Sequence, residues 1–91
     1  MSYDFEFKFS ADEVETIILG LDRYIQDVQD DAEAWQEAED IWEILQEGSG
    51  KFTLSDIQVD IVLNSLDYVD RAAALFCRIF NERNEQCLVE A

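Results

Sequence analysis

Histidine and proline are absent from this chain of 91 residues, and glycine occurs only three times. Without histidine the usual acid, base and metal ligand at neutral pH is missing. There is also no Gly-rich phosphate loop, no GxSxG elbow and no cysteine beside a base, so hydrolytic, phosphoryl-transfer and thiol mechanisms lack their parts. Paired carboxylates would need a sheltered pocket that separates their pKa values, and the acids of this chain fall on wet helix faces. The expectation is a protein that is not an enzyme and carries no cofactor. Asp27, Asp30, Asp31 and Glu33 crowd a helix junction, but they lack the alternate spacing and the turn glycine of a calcium loop. No metal site is expected.

Cysteine is scarce as well. Cys77 and Cys87 sit ten positions apart on what should be one helix, roughly 15 Å at ~1.5 Å per residue, too far for a disulfide. Cys77, within Leu75-Phe76-Cys77-Arg78-Ile79-Phe80, reads as a small buried apolar residue, and Cys87 as exposed. No apolar run approaches the ~20 residues of a membrane span. Met1-Ser2-Tyr3-Asp4 lacks the basic start and apolar segment of a signal peptide, so a cytoplasmic location is expected.

Positive charge is scarce too: six Lys and Arg face 22 Asp and Glu, a net charge of −16. Nucleic acid and anionic membranes would repel such a chain, so neither is an expected partner. Yet hydrophobic residues make up 48% of the sequence, too much for a disordered acidic chain. One folded domain, residues 1–91, is expected.

What is present is organised around a stretch that occurs twice. Phe7 to Asp22 returns as Phe52 to Asp67 at a constant offset of 45 residues, with Phe7/Phe52, Ser10/Ser55, Val14/Val59, Leu21/Leu66 and Asp22/Asp67 unchanged. Each copy reads as the end of a strand, a Ser N-cap, a Glu or Gln three residues later that completes a capping box, and an apolar helical stripe. Residues 3–9 alternate apolar and charged, as a strand with one buried face does. Helices are expected at about 11–29 and 32–47, the second with Asp31 as N-cap. Gly48-Ser49-Gly50 then leads to a strand at 51–54 and a central helix at about 56–69, apolar on two sides. A break near Asp70 would start the last helix at Arg71; a single helix over 56–86 is the alternative, since neither Gly nor Pro forces the break. The tail from Leu88 should fray. The fold class is α+β, mostly α: two βαα units, 3–47 and 51–88, with a short two-stranded antiparallel sheet packed on about four helices. A plain four-helix bundle is the alternative should the strands not pair.

Function is legible only through acidity. Between Asp22 and Glu47 lie ten carboxylates and one basic residue, Arg23. The 32–47 helix has no Lys or Arg to pair with its acids, so Glu33 with Glu37 and Glu39 with Glu43 are like-charge pairs. Trp35 and Trp42, seven apart, read as core packing, or as an exposed indole rim that grips a partner. A solvated face explains such a charge run, and so does a lattice of fixed carboxylates that occupies the basic surface of a nucleic-acid-binding protein. In the second reading Asp27, Asp30, Asp31, Glu33, Glu37, Asp40, Glu43 and Glu47 stand in for phosphates. In size and acidity the chain is similar to nucleic-acid-mimic inhibitors such as phage anti-restriction and anti-CRISPR proteins, a likeness of composition that carries no residue across. The rival is a small structural or adaptor protein whose acids keep it soluble and whose apolar last helix mediates assembly. The surplus apolar surface there also points to a homodimer through Leu75, Phe76, Ile79 and Phe80, with a monomer closed over its strand pair as the alternative.

Overall fold

A computed structural model of the chain describes residues 4–48 and 50–90, and side chains through 86. Six elements follow one another: β1 (Asp4–Lys8), α1 (Ala11–Asp27), α2 (Ala32–Glu47), β2 (Lys51–Ser55), α3 (Asp56–Leu66) and α4 (Ala73–Glu90). The order is βαα twice, and the class is α+β, mostly α. The strands pair antiparallel, with Phe5 opposite Leu54 and Phe7 opposite Phe52. Tyr3, Ser49 and the side chains of Cys87 and Leu88 lie outside the described residues.

The strand alternation sets the first layer. Phe5, Phe7 and Phe9 of one strand face inward with Phe52 and Leu54 of the other, while Glu6, Lys8, Lys51 and Thr53 face out. The rings stack, Phe7 on Phe9 with centroids 5.7 Å apart and Phe9 against Phe52 at 5.5 Å. A serine N-cap then starts the helix after each strand. Ser10 and Ser55 adopt the same backbone conformation, φ −73° and ψ 167°. The Ser10 hydroxyl accepts from the Glu13 amide while the Glu13 carboxylate accepts from the Ser10 amide; Ser55 and Gln58 repeat the exchange. Reciprocal caps satisfy two of the free N–H groups at each helix start.

The helices form the second layer, with α3 in contact with every other element. Its Val59, Ile61, Val62, Leu63 and Leu66 are all buried, along with Ile17 and Leu21 of α1, Ala38, Ile41 and Leu45 of α2, and Ile79 of α4. The closest approach is between α1 and α3. A methyl group built on Gly20 would lie 2.5 Å from the Ser65 carbonyl oxygen and 3.2 Å from Val69. Ser65 is fully buried on the other side, and its hydroxyl folds back to donate to the Ile61 and Val62 carbonyls.

Gly20 and Ser65 occupy like positions in the two units, and so do Phe7 and Phe52. Contacts between like positions lie on the axis of a two-fold arrangement, so one such axis runs from the centre of the strand pair to the helix crossing. Arg23 and Tyr68, 45 positions apart, make a third contact of this kind, the guanidinium donating to the Tyr68 carbonyl.

The units diverge in their second halves. Whereas α1 runs to Asp27, α3 ends at Leu66, and the chain turns with Arg71 in the left-handed region at φ 69°. The break lies near Asp70, as expected, without Gly or Pro. Asp67, Tyr68 and Val69 donate three residues back rather than four, which tightens the last turn. Arg23 then satisfies a free carbonyl there, a cation at the negative end of a helix. Helix α4 begins at Ala73 rather than Arg71 and continues to Glu90. It covers the outer edge of β1, where the Gln86 side chain accepts from the Glu6 amide and donates to the Glu6 carbonyl. Among the described residues no helix is long and apolar enough to cross a membrane.

The Gly20 contact leaves no room for a side chain. Gly20→Ala should lower stability by about 1–3 kcal/mol, although alanine is the better helix former by up to about 1 kcal/mol. Urea denaturation of the two proteins would show a lower midpoint at unchanged slope.

Candidate partner-binding face

Helix α2 follows directly from its local sequence. Asp31 caps it by accepting from the Ala34 amide at 3.2 Å, and it ends at Gly48, which lies under the Phe52 ring with no space for a Cβ. Ala38, Ile41 and Leu45 anchor one side against the core. The opposite side carries Glu33, Asp40, Glu43 and Glu47, with Glu37 at its α3-facing border and Glu39 at its α1-facing border. From Glu33 to Glu47 this face is roughly 21 Å long at ~1.5 Å per residue.

The eight acids read as phosphate surrogates all remain at least partly exposed, but they are not equivalent. Asp27 accepts a hydrogen bond from the Tyr68 hydroxyl. Asp31 is committed to its helix cap, and Asp40 accepts from the Gln36 amide at 3.2 Å. Glu33, Glu37, Glu43 and Glu47 make none of the hydrogen bonds or ion pairs found among the described residues, and these four define the face. Asp30 lies beside them in the turn before α2.

Three of the cations, Arg23, Arg78 and Arg83, serve as ties between elements elsewhere. Arg78 of α4 pairs with Glu13 of α1, donates to the Lys8 carbonyl and meets Glu82 at 3.2 Å. Arg83 pairs with Asp60 of α3 at 2.6 Å and lies over the Phe80 ring. Lys8 and Lys51 stand directly opposite each other on the outer face of the strand pair. None of the ion pairs among the described residues involves α2, so its carboxylates repel one another unanswered.

Of the two readings of Trp35 and Trp42, core packing fails and the exposed rim holds: they are 37% and 40% exposed. Ala38, Ile41 and Leu45 fill the contact with the core, which leaves the indoles at the edge of the stripe. Trp42 borders a cleft shared with Asp22, Ile25, Glu39 and Glu43. Cys77 is exposed rather than buried, because α4 turns its small residues Ala73, Ala74 and Cys77 outward. Of the residues assigned to a dimer, Ile79 is fully buried in the core, and Leu75 and Phe76 pack partly against it; Phe80 alone is well exposed, at 40%. Ile57, exposed at the start of α3, is not among the contact residues to which the sequence points. Its signal was an apolar residue where the first unit has Asp12.

Comparison with known protein families, curated proteins and solved structures finds no match to this chain.

Two measurements follow from this face. Glu43→Lys converts repulsion from Glu39 and Glu47 into attraction, so it should raise stability by about 0.5–1 kcal/mol at low salt, with the gain shrinking as salt is added. Tyr68 is held above the ordinary tyrosine value of 10.0 by its hydrogen bond to Asp27, then by burial and by the Asp27 charge. A raised folded-state value means that the folded chain keeps the proton when the unfolded chain loses it. The contribution is complete below pH 10 and disappears as pH rises through the folded-state value. Denaturation midpoints should therefore fall above pH 10 more steeply in the wild type than in Tyr68→Phe.

Proposed function

We propose that the protein is a binding protein rather than an enzyme, and that it acts on a basic surface of another cytoplasmic protein. The surface would be one that otherwise holds nucleic acid, which makes the protein an inhibitor by phosphate mimicry. One observation carries the reading: the exposed carboxylates of α2 have no cationic partner among the described residues, and the fold gains nothing from their repulsion. A rigid helix holds them in fixed rows about one turn apart, so binding needs little ordering of the acidic partner. Asp27, Asp31 and Asp40, already hydrogen-bonded, would be lesser contributors.

A second reading rests on α4. Phe80, with Ala73 and Cys77 nearby on the outward side, gives that helix an apolar surface through which a second copy or another subunit could assemble. Any contact between copies must overcome the repulsion of two bodies of charge −16, so it would strengthen with salt.

Capture of a partner from a lysate at low salt separates these readings. Phosphate mimicry expects the bound protein to leave as ionic strength rises and to be displaced by excess duplex DNA. It should be lost when Glu33, Glu37, Glu43 and Glu47 are all changed to Gln, but kept in Phe80→Glu. Assembly through α4 expects retention at high salt and loss in Phe80→Glu.

A further inference from the structure

Ile57 is 59% exposed, the most exposed of the large apolar side chains among the described residues. It occupies the first turn of α3, where an acid would suit the helix dipole and a β-branched residue has little to offer. The chain contains its own control for this position. Asp12 stands at the same place after the same capping serine in the first unit, also exposed. The fold therefore does not require an apolar residue there.

Nor is Ile57 isolated. Together with Ile61 and Ala34 it floors a groove of about 600 Å³ between the N-terminal halves of α2 and α3, rimmed by Asp31, Glu33 and Glu37. An apolar floor inside a charged rim is the anatomy of a binding hot spot. We infer that this groove receives an amphipathic basic segment of the partner, with an aliphatic or aromatic side chain seated on Ile57 and Lys or Arg paired with Glu33 and Glu37. The inference rests on the partner's being a basic protein, and it specifies how that partner is gripped. Charge complementarity selects the occupant. A neutral apolar segment would strip water from the rim carboxylates without pairing them. A second copy of the chain would bring more negative charge to the same place.

Two synthetic peptides of equal length and equal lysine content test this, one with leucines along one helical face and one with serines in their place. Binding is read by the anisotropy of a dye on each peptide. The leucine peptide should bind the intact chain at least about tenfold more tightly, the return expected from burying an aliphatic side chain. Ile57→Asp, which installs the residue of the first unit, should erase that preference. It should leave the salt-sensitive binding of the serine peptide unchanged or tighter, because it adds a negative charge; unchanged thermal unfolding would show that the variant is folded. Equal binding of the two peptides to the wild type, or a leucine preference that survives Ile57→Asp, overturns the groove while the reading of a basic partner stands. Failure of both peptides to bind at low salt overturns both.

Discussion

The approach of α1 to α3 at Gly20 and Ser65 is the constraint on which the remaining architecture depends. Two helices can come this close only where one has no side chain and the other has a small one that bonds to its own turn. That proximity lets α3 sit at the centre, and it fixes where the two strand ends must meet above it. Phe7 and Phe52 then face each other on the same axis, and their inward neighbours close the core between strand pair and helices. Similar sequences at Phe7–Asp22 and Phe52–Asp67 are thus expressed as similar local structures in mutual contact, rather than as separate bodies side by side.

The same economy explains where the acidity is exposed. Arg23, Arg78 and Arg83 tie α1 to the end of α3, and α4 to α1, β1 and α3. Helix α2 is anchored instead by Ala38, Ile41 and Leu45, by its aspartate cap, and by Gly48 under Phe52. It needs no cation to stay in place, so its outer carboxylates remain unpaired at only the small cost of their mutual repulsion.

Much of this was legible because it is local. The bounds of α2 follow from an aspartate before a helical stripe and a glycine after it, and both capping boxes follow from a serine and the Glu or Gln three residues on. The antiparallel strand pair followed from the repeat itself. What was not legible depends on how wide a contact each helix makes. An apolar stripe states which side faces inward but not how much of it the neighbours cover, so it leaves Trp35 and Trp42 open between core and rim, and it suggests burial for Cys77, which lies outside the core. Ile79 was assigned to a surface and lies within. Asp70 marks the neighbourhood of the break but not the left-handed backbone of Arg71; that turn is held by Arg23, distant in sequence, and by Ala72, which is buried at the start of α4.

The side chain of Gln86 gives the backbone of Glu6 both a donor and an acceptor, as a neighbouring strand would. Those residues are 80 positions apart, so the first of the six elements to be synthesised is completed by the last. During synthesis β1 must wait for β2 to pair one edge, and for α4 to cover the other. Contacts of such long sequence separation are made late, because the intervening chain must first be ordered. An exposed strand edge in the meantime is a template for pairing with other chains. Asp4, Glu6 and Lys8, alternating along β1, supply charge against such pairing throughout the interval before residue 86 emerges.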